Sequence, residues 1–310
     1  MKSVIEVKNL TKDYGFNRGI FDISFEIHEG EVFGFLGPNG AGKTTTIRQL
    51  MGFSKPDQGV ASINGRESFA NYFENLKDVG YIPGELAFPA GLNGYEVIKM
   101  LQELTKKVDK KRLDMLCELF KLDDQQLKTN TKQMSLGTKR KLAIVVAFMN
   151  DPNILILDEP TSGLDPLMQD VFINFIKEEK KRGKTILLSS HMFNEVDQTC
   201  DRIAIIKEGR IIEMFIANDF KHAKHKFYIL KFKNKESYNR FKNNNFDILK
   251  IIRVNDEEKE ILIKTHDDNI DKVVHALNEY KVAEFTNIKE SLEDYFLKFY
   301  GSDKGFEGLK

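Results

Sequence analysis

Residues Gly37-Pro38-Asn39-Gly40-Ala41-Gly42-Lys43-Thr44-Thr45 place glycines, a lysine and hydroxyls at the spacing that phosphate chemistry requires. They match G-x-x-x-x-G-K-[ST], the phosphate-binding loop. The glycines let backbone wrap a phosphate without side-chain clash. Backbone N–H groups and a helix N-terminus then face the anion. In this pattern Lys43 reaches the β- and γ-phosphates of a nucleotide such as ATP, and the Thr44 hydroxyl sits on Mg²⁺. The bland alternative is a glycine-rich turn that happens to contain Lys-Thr. The flanks argue against it. Val32-Phe33-Gly34-Phe35-Leu36 reads as a buried strand, and Thr46-Ile47-Arg48-Gln49-Leu50-Met51 as a helix start. Strand, loop, helix is the context that the pattern needs.

A second constellation is Ile154-Leu155-Ile156-Leu157-Asp158-Glu159-Pro160. Four apolar residues bury a strand, and two carboxylates emerge at its C-terminal end, where open α/β sheets bind ligands. Asp158 is suited to the magnesium shell and Glu159 to polarising an attacking water. Alone, the segment could be a strand ending in a polar turn. Downstream of a phosphate loop, the chemical reading takes precedence. His191 ends the apolar run Leu187-Leu188-Ser189-Ser190. Taken bare, it is a polar residue closing a strand.

The elements that must hold these residues alternate. Val4 to Leu10 and Phe21 to Ile27 read as strands, and so does Gly59 to Gly65. Helical periodicity runs from about Tyr95 to Phe120 and from Thr138 to Met149. Strands at Ile154–Leu157 and Thr185–Ser190 bracket a helix built on Val171–Ile176. Strands alternating with helices predict an α/β domain with a mainly parallel sheet covered on both faces. Composition shifts near Asp219, where Lys, Asn, Phe and Ile become dominant and glycine scarce. The order beyond it reads strand, helix, hairpin, helix, strand, with a last helix from Ser291 to Tyr300. This βαββαβ order predicts a small C-terminal α+β appendage. The expected boundaries are residues 4–217 for the first domain, 224–300 for the appendage and 301–310 for a frayed tail.

The 310 residues carry 47 Lys+Arg and 47 Asp+Glu. This zero net charge argues against a dedicated nucleic-acid binder, which shows a basic excess. The two cysteines, Cys117 and Cys200, have no metal or redox spacing and do not suggest an oxidising compartment. The N-terminus carries no signal-peptide core. The longest apolar run, Leu142 to Met149, falls far short of the roughly 20 residues that span a bilayer. A cytoplasmic protein is expected, reaching any membrane through a partner.

Over about residues 4–217 the chain resembles the nucleotide-binding subunit of an ATP-binding cassette (ABC) transporter. The resemblance implies a P-loop NTPase fold, ATPase activity, and ATP and Mg²⁺ as ligands. Asp158 and Glu159 match the Walker B aspartate and the catalytic glutamate. Ser162-Gly163-Leu164-Asp165 matches the D-loop, which crosses the dimer interface in this family. His191 matches the switch histidine that contacts the γ-phosphate. Tyr14 matches the aromatic that stacks on adenine, with a buried turn tyrosine as the alternative. Ser135 and Gly137 are the retained donors of a signature that reads Met134-Ser135-Leu136-Gly137-Thr138 instead of Leu-Ser-Gly-Gly-Gln. At a helix N-terminus they would face the γ-phosphate held by a second copy. An ATP-dependent homodimer is therefore implied. The adjoining Lys139-Arg140-Lys141 reads as a solvated basic helix face.

A second departure lies after Val79-Gly80-Tyr81-Ile82-Pro83, where the family has Gln or Glu and this chain has Gly84, then Glu85. The loose signature, the missing Gln and the appendage resemble bacterial ABC-2 type exporters of the peptide-antibiotic and exotoxin group. There the permease is a separate membrane chain, and the ATPase lies on the cytoplasmic face of the membrane. A Leu-Glu-Asp-x-Phe ending, here Leu292 to Phe296, recurs in them. The rival reading is a soluble ABC ATPase acting on the ribosome or nucleic acid. It is disfavoured because there is one cassette, no inserted coiled coil and no excess positive charge. A P-loop kinase or GTPase is disfavoured by the signature helix and by the lack of an Asn-Lys-x-Asp motif.

Overall fold

The computed structural model describes residues 2–105, 109–217, 225–288 and Phe296. The chain divides into two compact units, Met1–Ala217 and Asn218–Lys310. The first unit begins with β1 (Ser3–Asp13), β2 (Gly19–His28), β3 (Val32–Leu36), α1 (Lys43–Leu50), β4 (Gln58–Ile63), β5 (Arg66–Glu67), α2 (Tyr72–Asp78) and β6 (Val79–Ile82). Four helices follow: α3 (Gly94–Thr105), α4 (Lys110–Leu119), α5 (Asp124–Lys128) and α6 (Leu136–Phe148). It closes with β7 (Ile154–Asp158), α7 (Pro166–Lys181), β8 (Thr185–Ser190), α8 (Phe193–Thr199), β9 (Arg202–Lys207) and β10 (Arg210–Ile216).

Two sheets result. The larger runs β10-β9-β3-β8-β7-β6 and is parallel except for the edge strand β10. Strands β3, β7 and β8 are buried at every residue, which is why they read as unbroken apolar runs. The N-terminal strands instead form a separate antiparallel sheet, β2-β1-β4-β5. Its β2 alternates, turning Ile23, Phe25 and Ile27 inward. Phe25 stacks on Phe33 of β3 with ring centroids 5.2 Å apart, joining the two sheets through one core. The long helical stretch expected from Tyr95 to Phe120 is two helices, α3 and α4. Asp109 caps α4 by accepting from the Arg112 N–H. Strands β9 and β10 and the short helices α5 and α8 went unread in the sequence.

The second unit contains β11 (His225–Phe232), α9 (Lys235–Lys242), β12 (Leu249–Asn255), β13 (Glu260–His266), a 3₁₀ turn (Asp267–Asn269), α10 (Ile270–Leu277) and β14 (Val282–Ile288). Its sheet is antiparallel in the order β12-β13-β11-β14, the split β-α-β arrangement. Leu230, Phe232, Tyr238, Phe241, Ile263 and Val273 build its own core. Asn234 caps α9, accepting from the Ser237 N–H at 2.9 Å. The expected final helix, Ser291 to Tyr300, and the tail after it lie outside the described residues, apart from the buried Phe296.

Candidate active site

Parallel register brings four chain segments to one edge of the larger sheet. Leu36 pairs with Ser190, Asp158 with Ser189, and Ile82 with Leu157. The segments that leave these strands are the phosphate loop, Pro83–Glu85, Glu159–Asp165 and His191–Met192. This is the C-terminal edge, where such sheets bind ligands.

Helix α1 starts from Gly42, whose φ of 112° is left-handed and whose position supplies no side-chain cap. A Cβ there would lie 2.9 Å from Ile20 Cγ2, so both backbone and space select glycine. The first N–H groups of α1 are thus left uncapped by a side chain and available to an anion. Lys43 is buried. Its Nζ donates to the carbonyls of Gly37 (2.6 Å) and Pro38 (3.1 Å) and pairs with Glu159 Oε1 at 3.0 Å. Beside it, Thr44 Oγ1 donates to Asp158 Oδ2 at 2.7 Å. Ser189 Oγ donates to the other oxygen, Oδ1. A hydroxyl and a fully buried carboxylate, both hard oxygen ligands beside a phosphate cradle, fit Mg²⁺.

Glu159 sits one residue beyond β7 with a φ of 49°, which turns its side chain back toward the loop. His191 Nδ1 lies 2.6 Å from Glu159 Oε2. Burial would push the Glu159 carboxyl up. The His191 hydrogen bond and the Lys43 charge outweigh it and hold the group below its ordinary value. In return, the bond to Glu159 raises His191. Each group thus favours the charged form of the other. Behind it, Ser190 Oγ donates to Glu195 Oε2 at 2.6 Å. Burial pushes the Glu195 carboxyl up to about 7.

Ser135 is the N-cap of α6, its Oγ accepting from the Thr138 N–H at 3.1 Å. Gly137 lies against the same-chain Gly163, since a Cβ on Gly137 would fall 3.1 Å from the Gly163 carbonyl. Leu136, 58 % exposed, covers Gly163 with its side chain. So Lys43, Thr44, Asp158, Glu159 and His191 converge, whereas Ser135 and Gly137 gather with the 162–165 segment. Tyr14 is 49 % exposed, which removes the buried-turn alternative. Its turn, closed by Tyr14 N–H to Arg18 O, leads to Ile20 beside Gly42.

One expectation needs correction. Arg140 is not on a solvated face: it is 2 % exposed and bonded to three carbonyls. A three-residue basic run gave no hint, because helical rotation turns only its middle member inward. Glu85, which follows the position of the missing Gln, faces solvent in this structure. It forms no hydrogen bond or ion pair among the described residues. Ser189 and Glu195 were also missed. Ser189 was accessible from strand register, which sets it opposite Asp158.

Fold and site together define a P-loop nucleoside-triphosphatase with a Walker-type carboxylate pair. A family model described as ABC transporter matches residues 20–162. The chain is 35 % identical over 307 residues to the uncharacterized ABC transporter ATP-binding protein YhcH of Bacillus subtilis (strain 168), covering 98 % of each. It is 33 % identical to the bacitracin transport ATP-binding protein BcrA of Bacillus licheniformis, over 97 % of this chain and 98 % of that one. A solved ATP-binding subunit of an ABC transporter superposes with a TM-score of 0.63 at 29 % identity, covering 71 % of this chain and 92 % of its own. The chain belongs to the family of ABC transporter ATP-binding proteins, and its activity is that of an ATPase.

Proposed function

We propose that this chain hydrolyses ATP to drive a separate ABC-2 type membrane permease that exports a drug, peptide or toxin-like molecule. The observation that carries the chemical part is Glu159, fixed at the end of β7 between Lys43 and His191. With ATP bound, Lys43 exchanges the Gly37 and Pro38 carbonyls for phosphate oxygens. The phosphate loop and the N-terminus of α1 hold the β- and γ-phosphates. Glu159, kept ionised, accepts the proton of the attacking water, and His191 holds its carboxylate in place. Thr44 and Asp158 would hold Mg²⁺, which would neutralise phosphate charge when bound.

Ser135 and Gly137 converge with Gly163 and not with Lys43, which supports their serving the nucleotide of a second copy. An ATP-dependent homodimer follows, closing on the γ-phosphate and parting on its loss. Exposed aromatics support a docking partner. Phe53, Phe69, Tyr72 and Phe73 are all at least 40 % exposed. Phe53 meets Tyr81 of β6, which leads to the Pro83–Glu85 loop. A permease segment seated there would hold the ATPase at the cytoplasmic face of the membrane. No described helix is long and apolar enough to cross a membrane itself. The full-length likeness to the bacitracin transport protein supports export of a peptide-like cargo.

The test is Glu159→Gln. Hydrolysis should fall by about 10²- to 10⁴-fold, with ATP affinity kept and an ATP-bound dimer trapped on size exclusion. A variant that stays monomeric in saturating ATP and magnesium would contradict the reading.

A further inference from the structure

Arg140 is a charged side chain only 2 % exposed that the reaction just described does not use. It projects from the second turn of α6, five residues beyond Ser135. Its Nε donates to the Ser162 carbonyl (2.9 Å), Nη1 to the Pro83 carbonyl (3.0 Å) and Nη2 to the Gly84 carbonyl (2.9 Å). None of the three acceptors is a carboxylate. Among the described residues the guanidinium has no salt-bridge partner. It spends all three bonds on holding two stretches of backbone. Its charge is felt by Asp158, Glu159 and Glu195, but it touches none of them.

The two stretches are the ones that flank the reacting groups. Ser162 lies three residues past Glu159. Gly84 lies against the magnesium-site carboxylate: a Cβ on Gly84 would sit 2.9 Å from Asp158 Oδ2 and 3.7 Å from Thr44 Oγ1. No side chain fits at Gly84 without displacing Asp158. The loop can report on the site only through its backbone, and Arg140 grips that backbone.

We propose that Arg140 is a positioning residue that ties the Pro83–Gly84 loop and the Ser162–Asp165 loop to the N-terminal turn of α6. A shift of the Pro83–Gly84 loop is then passed to Ser135 and Gly137 through one rigid planar side chain. The coupling that a side chain at position 84 cannot supply runs through carbonyl oxygens instead. This rests on the site assignment given under Proposed function.

The experiment uses the purified chain. Arg140→Lys keeps charge and stem but cannot span three carbonyls from a point charge. It should lower kcat at least about tenfold while leaving affinity for a fluorescent ATP analogue and the Tm nearly unchanged. Hydrogen exchange should quicken in peptides covering 80–88 and 160–166. Arg140→Met should deepen both effects; where it does not fold, Arg140→Lys alone decides. Wild-type kcat in Arg140→Lys, unchanged exchange in either peptide, or a loss of kcat matched by loss of ATP affinity would overturn the proposal. Lys43→Ala is measured alongside. If it keeps wild-type nucleotide affinity, the site assignment fails, whatever Arg140 does.

Discussion

Glu195 is enclosed by the strand end that carries Ser190, by its own helix and by the reacting pair Glu159 and His191. Ser190 donates to Oε2; Oε1 has no close hydrogen-bond partner among the described residues, although the nearby Thr161 side chain also acts on the carboxyl. A carboxyl so enclosed loses its hydration, which disfavours charge. Burial lifts the group from 4.5 to about 7, with the Glu159 charge adding to the lift and the Ser190 and Thr161 bonds opposing it. The raised value fixes the sign of a stability effect. Folded chain holds a proton that unfolded chain has released, so the contribution is full below about 4.5 and is lost as pH rises through about 7. Glu195→Gln keeps a polar partner for Ser190 and cannot ionise. Its Tm relative to wild type should therefore climb by several degrees between pH 5 and pH 8. Thermal melts across that range decide it, and a constant difference would refute it.

At the scale of elements, helices α4 and α7 are tied together by charge. Arg112 of α4 donates to Glu179 of α7 at 2.8 Å and to the Phe148 carbonyl at 2.8 Å. Asp151, in the turn between α6 and β7, takes Arg182 in a two-pronged bond (2.9 and 2.8 Å), Lys184 at 2.9 Å and Arg112 at 3.4 Å. Burial alone would raise Asp151, but the Arg182 and Lys184 bonds bring it down to about 2. Its stabilisation is present above 3.8 and is lost as pH falls through about 2. Asp151→Asn preserves the left-handed backbone that a φ of 50° demands, and removes only the charge. It should cost about 2 kcal/mol at pH 7. That is less than a fully buried pair, because water screens the half-open partners. Urea unfolding at pH 7 and pH 3 tests this: the loss should shrink at the lower pH.

The same scale shows what the sequence could and could not convey. Strands β3, β7 and β8 were legible because central parallel strands are apolar throughout, and their ends located Lys43, Asp158, Glu159 and His191. Arg140 was not legible. Its role depends on carbonyls 22, 56 and 57 residues away, and no local pattern encodes a bond to backbone. The break between α3 and α4 escaped because both helices share an apolar period. The edge strand β10 escaped for another reason, whereas the buried run from Ile203 to Ile206 of the internal strand β9 was there to be read. The Arg210–Ile216 stretch of β10 mixes charged and apolar residues and is nowhere fully buried, as at a sheet edge.

At the scale of the whole molecule, each unit owns a core. The first packs Phe25, Phe33, Ile47, Leu50 and Ile156, and the second packs Phe232, Tyr238 and Phe241. The solved ATP-binding subunit that aligns with 71 % of this chain is nearly covered by that alignment, so a cassette can stand without the appended unit. Every residue assigned to the nucleotide lies before Ala217. A chain ending at Ala217 should therefore fold and bind ATP within about threefold of the full chain, since no assigned contact is removed. Fluorescent-nucleotide titration and thermal melts measure both properties; an unfolded or non-binding product would show that the cores depend on one another. Tagged full-length chain, drawn from gently solubilised membranes, should also bring down a multi-span membrane protein in matching yield. Ribosomal proteins or nucleic acid in its place would leave the ATP site standing and remove the permease.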